Sequence, residues 1–357
     1  MRAETELTRP TIIHLLSLTD KEEQQSLFKK AYGVKVDLLG RKVNLRGLIE
    51  FSNQCRKNCL YCGIRNGNSK VFRYSMSDEE ILQVVAFARL KDLTGVVLQS
   101  GERNDTDFVN RIAELIKKIK KATDEAFRIT LSIGEQSKET YQKWFDAGAQ
   151  RYLLRIETSD ETLYKSIHPN DGLHSFETRL SCLESLRQTG FQTGTGVMIG
   201  LPGQTVENLA DDLLFIQQKG IDMVGMGPYL EHVQTPMFEV KEVRISLKER
   251  FELSLRMIAV LRLLMPTINI ASTTALQSII STGRELGLMA GANVLMPNLT
   301  PVNYRKSYLL YENKPCLDQE ADETLENLLL RISKMGEHVA YHDYGDSRQY
   351  INRQIHH

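Results

Sequence analysis

Three absences limit what this chain can be. No run of about 18 apolar residues occurs anywhere in its 357 residues, so no helix-type membrane span is expected. Neither charge sign dominates: 45 Lys and Arg balance 45 Asp and Glu, which argues against broad binding of nucleic acid or an anionic membrane. Cysteine is scarce and odd in number. Five cysteines do not build a disulfide framework, and three of them fall between residues 50 and 63; this points to a metal site in a reducing cytoplasm. The polar start MRAETELTRP lacks the apolar segment of a secretory signal. Short-period repeats and low-complexity tracts are missing as well.

What is present is a rhythm. From about residue 46, short β-prone runs alternate with longer amphipathic stretches. The expected strands are Arg46–Phe51, Gly95–Gln99, Arg128–Ser132, Arg151–Arg155, Gln192–Met198, Met223–Gly227, Asn269–Ser272 and Asn293–Met296. Helices are expected over Ser77–Arg89, Thr106–Lys121, Ser137–Ala147, Phe176–Gln188, Thr205–Lys219 and Leu247–Leu264. Ser77 with Glu80 reads as a capping box, and Gly148, Gly190 and Gly220 stand where helices should end. Eight β-α units in series imply parallel strands and right-handed crossovers, hence an α/β fold of the (β/α)8 TIM-barrel type. The expected division is an N-terminal helical extension over 1–45, the barrel over 46–312 and a C-terminal helical extension over 313–357. Thr11–Leu18 and Lys21–Tyr32 should be helices covering the barrel bottom or side, and 318–337 a late helix on its outside.

The loop EFSNQCRKNCLYCG follows the first strand, at the barrel face where such folds build their sites. It holds Cys55, Cys59 and Cys62 in C-x3-C-x2-C spacing, with no fourth cysteine nearby. A structural zinc site normally takes four ligands in paired units, and no second pair exists. Cys182 sits in a helical pattern as a small core residue, and Cys316 stands alone. A [4Fe–4S] cluster fits better: three irons take three thiolates, and the fourth iron stays open. CRKNCLYC resembles the cysteine signature of the radical S-adenosylmethionine (SAM) superfamily, with Tyr61 as its aromatic residue. The resemblance implies that SAM chelates the open iron and is cleaved reductively to methionine and a 5′-deoxyadenosyl radical.

Other strand ends extend the resemblance. QSGE, Gln99 to Glu102, looks like the superfamily's segment for the SAM amino group, with Ser100, Gly101 and Glu102 close to the ligand; an ordinary turn would explain Gly101 equally well. Ser132 ends the third strand. Arg155 and Glu157, two residues apart, point to one side of an extended chain; by resemblance Glu157 holds the SAM ribose. Arg179 would bind the SAM carboxylate, which its planar fork suits. Met198, Gly200 and Leu201, in GVMIGLPGQT, would lie along the nucleoside.

Taken together, IEFSNQCRKNCLYCG, VVLQSGE, TLSIGE, RYLLRIET, MIGLPGQT, DMVGMGP, STTA and GANVLMPNLTP resemble the HydE family of [FeFe]-hydrogenase maturases over roughly residues 45–312. Biotin synthase and methylornithine synthase belong to the same wider group. The resemblance implies a small organometallic iron substrate, with Arg46, Arg151, Arg155, Met226, Thr273, Thr274 and Tyr304 on the substrate side. It also implies the other maturases HydG and HydF, and a low-potential electron donor, as partners. No nucleic acid or membrane partner is expected. Two departures stand out. Some relatives bind a second cluster through extra C-terminal cysteines; here only Cys316 is left, so none is expected. Ile156 occupies a position where some relatives carry histidine, which leaves open a HydE-like mutase or transferase acting on another thiol or amino-acid substrate.

Overall fold

The computed structural model describes residues 7–124, 126–240 and 245–355; the first six residues of the polar start lie outside them. Strands β1 (Lys42–Leu45), β2 (Gly47–Ser52), β3 (Gly95–Ser100), β4 (Arg128–Ser132), β5 (Arg151–Leu153), β6 (Gln192–Thr195), β7 (Met198–Ile199), β8 (Met223–Val224), β9 (Gly227–Pro228), β10 (Asn269–Ile270), β11 (Val294–Leu295) and β12 (His338–Val339) are separated by helices. Seven form one parallel sheet in the order β10-β8-β6-β5-β4-β3-β2. Strand β11 closes the ring, bridging Ala271 through Val294 on one side and pairing with β1 on the other, while Asn298 bridges Leu48. The result is the expected eight-stranded α/β barrel.

The helices are α1 (Arg9–Leu16), α2 (Lys21–Leu39), α3 (Asp78–Leu90), α4 (Thr106–Ala122), α5 (Lys138–Asp146), α6 (Glu161–Ser166), α7 (Phe176–Thr189), α8 (Val206–Gln218), α9 (Leu247–Leu264), and, after β10, the short α10 (Thr274–Ile279) and α11 (Gly283–Met289), then α12 (Val302–Arg305), α13 (Ala321–Lys334) and α14 (Arg348–Ile355). Ser77 and Glu80 do close a capping box at the start of α3. Helix α4 shows how the outer layer packs: Phe108, Ile112, Leu115, Ile116 and Ile119 recur at three- and four-residue steps and are all buried. No helix among the described residues is long and apolar enough to cross a membrane.

Two differences from the sequence reading, and one choice it left open, have physical causes. Two expected strands are each split. Gly196 and Gly225 approach so closely that a Cβ on Gly196 would collide with the Gly225 carbonyl; the chains kink there and re-pair above as β7 with β9. The N-terminal helices pack along the side, against α8 and α9, and do not cover the bottom. That end is closed by residues 343–347, and β12 pairs with β1, a strand the sequence reading missed. The N- and C-terminal extensions are further tied by a fully buried pair, Lys35 with Glu337, and by the Tyr32 hydroxyl donating to Glu337 at 2.5 Å.

Candidate active site

The cysteine loop leaves the C-terminal end of β2 and has almost no regular structure, so its polar backbone needs other partners. One side chain supplies several of them. The Arg73 guanidinium donates to the carbonyls of Asn53 (2.7 Å), Ile64 (2.8 Å), Arg65 (2.6 Å) and Asn68 (3.1 Å). Asn53 donates to the Phe72 and Ser307 carbonyls, and Asn68 to the Gly63 carbonyl. Sequence reasoning missed Arg73; its only signal was a lone arginine at the end of a long polar loop.

All three cysteine thiols are close enough to perturb one another. Burial, then the Cys55 charge, pushes the Cys59 thiol up to about 12, and burial followed by Cys59 and Cys55 pushes the Cys62 thiol well up too. Cys55 also accepts a hydrogen bond from the Glu102 amide at 3.3 Å. The thiols do not converge on a point: among the described residues no group of three or more His, Cys, Asp or Glu is close enough for one metal ion. Three neighbouring thiols in C-x3-C-x2-C spacing suit a cluster with several irons, ligated at three corners. A cluster bound there would take them as thiolates and supply the positive charge that stabilises them. The other two cysteines lie elsewhere in the architecture: Cys182 is buried in α7 facing the Gln136 carbonyl, and the carbonyl of Cys316 accepts from Arg305.

Around the loop lies a buried charge network that sequence reasoning saw only in part. Arg179 donates to Glu135 at 2.6 Å and to the Arg155 carbonyl. Lys57 pairs with Glu135 at 2.6 Å and with Glu102 at 3.5 Å, and Arg56 with Glu102 at 3.1 Å. Burial raises the Glu135 carboxyl, but Arg179 and Lys57 outweigh it and hold it below the usual range. Three cations against two carboxylates leave a positive excess beside the cysteines, suited to a ligand carboxylate. The Glu102 carboxylate is engaged by Arg56 and Lys57 of the cysteine loop and by the Glu135 amide, which leaves its backbone as the part free to approach a ligand. Gly101 is required there, since a Cβ would strike the Gln54 carbonyl and Cys55. Ser100 donates to the Gly101 carbonyl, and Gln99 to Tyr308, at the end of β3; Ser132 lies opposite Gln99 on β4.

Glu157 has φ +69°, a left-handed conformation unusual for a side chain of this size. Arg155 grips both its carboxylate oxygens, at 3.1 and 3.0 Å, and reaches the Gly225 and Val197 carbonyls with its other nitrogens. The turn is held from below by Asp212 of α8, which accepts from the Ser159 amide at 2.5 Å and the Ser159 hydroxyl at 2.6 Å. Met198 and Leu201 join Leu163, Ile167, Tyr229 and Met237 in a small apolar cluster, with Leu60 and Tyr61 against it. Tyr61 meets His168 edge-on and through its hydroxyl at 3.4 Å; burial, then Arg179, lowers His168 to about 3, so it is neutral at neutral pH. Gly200 has φ +84°, and its amide is held by Gln204 at 2.7 Å. Charge network and apolar shelf thus flank the cysteine loop on different sides, an arrangement fitting a zwitterionic nucleoside ligand.

The expected substrate residues separate. Arg155, Met226, Thr273 and Thr274 lie at the strand ends, with Thr273 donating to the Met226 carbonyl (3.4 Å) and Thr274 bonded to Tyr311 (3.0 Å). Arg46 and Arg151 do not join them. Each starts a strand, so in a parallel barrel it belongs to the opposite end. Arg46 donates to the Gly345 carbonyl and Arg151 pairs with Asp346 at 2.7 Å. Between floor and mouth lies a cavity of about 30 Å³, bordered by Arg46, Thr130 and Met223. Tyr304 is also displaced: it stacks on Tyr74 and donates to Glu80 at the start of α3, outside the barrel.

Comparisons with known proteins converge on this site. The sequence pattern of the radical SAM superfamily matches residues 49–216. The chain is 42% identical to the [FeFe] hydrogenase maturase subunit HydE of Thermotoga maritima, over 93% of this chain and 91% of that protein. The chain belongs to the HydE family. It is also 28% identical to 3-methylornithine synthase of Methanosarcina barkeri over 93% of this chain and 90% of that one. The crystal structure of a methylornithine synthase superposes with a TM-score of 0.80 at 26% identity, covering 98% and 97% of the two chains. Within the HydE frame the Ile156 question changes. Ile156 is fully buried in the apolar layer with Tyr152 and Leu154, facing the helices, whereas Arg155 reaches the carbonyls of the strand ends. The side chain at 156 therefore does not line the mouth.

Proposed function

We propose that this HydE-family protein is a radical SAM enzyme that acts in assembling the active-site iron cluster of [FeFe]-hydrogenase. The observation that carries it is the C-x3-C-x2-C loop seated at the barrel's strand ends in a chain 42% identical to a HydE subunit over 93% of its length. A [4Fe–4S] cluster held by Cys55, Cys59 and Cys62 would supply one electron at low potential to cleave SAM bound at its open iron. This chain's residues do the rest. The positive excess around Arg179, Lys57 and Arg56 receives the SAM carboxylate. Glu157, pre-oriented by Arg155, accepts from the ribose hydroxyls. Gly101 lets the ligand amino group approach backbone carbonyls, and Met198, Leu201 and Tyr61 cover the adenine and exclude water. Arg155, Met226, Thr273 and Thr274 present donors and a soft surface to a small organometallic iron substrate, which carries acceptors such as cyanide or carboxylate.

The proposal includes one cluster per chain, a reducing cytoplasm as its setting, a low-potential electron donor, and exchange with the HydG and HydF maturases. Anaerobic reconstitution with iron and sulfide, followed by dithionite and SAM, should release 5′-deoxyadenosine, and the gene should restore hydrogenase activity to a strain lacking HydE. Absence of cluster-dependent SAM cleavage would sink the enzymatic reading. A second reading, a mutase or transferase on an amino-acid substrate, draws on the likeness to methylornithine synthase; SAM cleavage without complementation would favour it.

A further inference from the structure

The chain is neutral overall, but its charge is not evenly spread. Between Glu50 and Asp78 it carries Arg56, Lys57, Arg65, Lys70 and Arg73 and no carboxylate at all. Three of these cations are used internally: Arg56 and Lys57 by Glu102 and Glu135, and Arg73 by the loop carbonyls. Arg65 and Lys70 pair with no carboxylate among the described residues, and Lys70 is exposed. Beside them Phe72 is 76% exposed, although an aromatic ring of that size is normally covered. Nothing in the loop's internal bonding needs the ring outside, since Phe72 is held through its carbonyl by Asn53.

This patch is carried by the same loop as the cysteines. Lys70 is tied by its amide to Asn68 (3.1 Å), and Asn68 to the carbonyl of Gly63, next to Cys62 (2.7 Å). Asn53, which anchors Phe72, precedes Cys55 by two residues. Electron transfer falls off steeply with distance, so a protein delivering electrons to this site must dock on the face nearest it. We propose that the face carrying Arg65, Lys70 and Phe72 is the docking surface for an acidic one-electron carrier protein. It rests on the functional reading above, which requires an external electron. The step is a single electron passing from carrier to protein-bound cluster; the carrier is oxidised, the cluster reduced, and no bond is made or broken. A small basic face around one aromatic suits the short-lived, salt-sensitive encounters of redox partners. Of the acids beside the loop, Glu102 and Glu135 are paired with Arg56, Lys57 and Arg179, and Asp78, just after it, with Arg111 and Lys118.

The test is a titration of the cluster-loaded protein with a labelled bacterial-type [4Fe–4S] ferredoxin of net negative charge, read by fluorescence anisotropy. Lys70→Glu should raise the Kd about tenfold at low salt and Phe72→Ala several-fold, and the wild-type affinity should fall as salt rises. In parallel, 5′-deoxyadenosine formation with dithionite, which needs no docking, should be unchanged in both variants. Unaltered ferredoxin affinity in both, or no wild-type binding at all, overturns the proposal. So does equal loss of iron content and dithionite-driven cleavage, which would make these residues parts of the loop's own structure. Failure of the wild type to cleave SAM with dithionite would instead strike the functional reading, and the binding titration still reports on the face.

Discussion

The two ends of the barrel are built from the same residue types and use them differently. At the floor, Arg128 and Arg151 share the carboxylate of Asp346, and Arg46 points at the Gly345 carbonyl. The chain's own C-terminal segment fills the space and supplies most of the partners, leaving the Arg46 and Arg151 Nε atoms without one among the described residues. At the mouth, Arg155, Arg179, Arg56 and Lys57 share Glu157, Glu102 and Glu135 beside the cysteine loop. There the backbone is strained at Glu157, glycines open close approaches, and three thiols stand near one another. Paired charges in a barrel therefore do not by themselves mark a site. What marks it is charge held in place beside the three thiols.

Breaking the mouth should have the largest effect on chemistry. Cys59→Ala removes a corner of the cluster site, so 5′-deoxyadenosine formation should drop to background and bound iron fall well below the wild type, while the fold survives. Breaking the floor should do the reverse. Asp346→Asn leaves the guanidinium groups of Arg128 and Arg151 without their carboxylate, and loss of one partner from a buried pair costs about 3 kcal/mol. The melting temperature should fall by several degrees with SAM affinity unchanged. A floor variant that lost SAM binding at full thermal stability would erase the distinction between the two ends.

This distinction explains what was legible in the sequence. Eight units, the capping box at Ser77 and the strand limits of β4 were readable because hydrophobic period and turn chemistry are local. The cysteine loop was readable because its spacing is itself a ligand geometry. Arg46 and Arg151 were misplaced because residue type alone does not say which end of a strand a side chain serves; only the arrival of residues 343–347, some 200 to 300 positions later, decides it. Tyr304 was misplaced because its partners, Tyr74 and Glu80, come from a loop and a helix start whose positions the strand pattern does not fix. Glu135, Lys57 and Arg73 were missed for a related reason: a buried charge network is assembled from four separate loops, and no single stretch of sequence carries its pattern.

Glu157 sharpens the comparison at the mouth itself. Glu157→Ala leaves Arg155 without its carboxylate and removes the acceptor proposed for the ribose. SAM should bind about 10- to 100-fold more weakly, equivalent to about 1.4–2.8 kcal/mol, with iron content retained. The left-handed strain of on the order of 1 kcal/mol stays in the variant, because alanine carries the same Cβ, so it does not separate the two proteins in stability. An unchanged SAM affinity would remove Glu157 from the binding site.

Asp212 is the smallest and most discriminating case, because it is a floor-type residue placed beneath the mouth. It is fully buried, one oxygen gathers the Ser159 amide and hydroxyl, and the other has no partner. Burial is the main reason its carboxyl rises from 3.8 to about 7, with the Ser159 bonds opposing. The folded pKa thus exceeds the unfolded one. The protonated form is favoured by folding, so this group's contribution is fully present below about pH 4 and is lost as pH rises toward about 7. Asp212→Asn keeps the accepting oxygen and abolishes the titration. Urea unfolding at pH 4 should barely distinguish the two proteins, while at pH 8 the variant should be more stable by on the order of 2 kcal/mol. If Asp212 only supports the turn, SAM affinity should follow the wild type at both pH values. If affinity falls in the variant while stability rises, the carboxylate acts on the bound ligand through Glu157, and the boundary between supporting and ligand-binding charge lies one layer deeper than the strand ends.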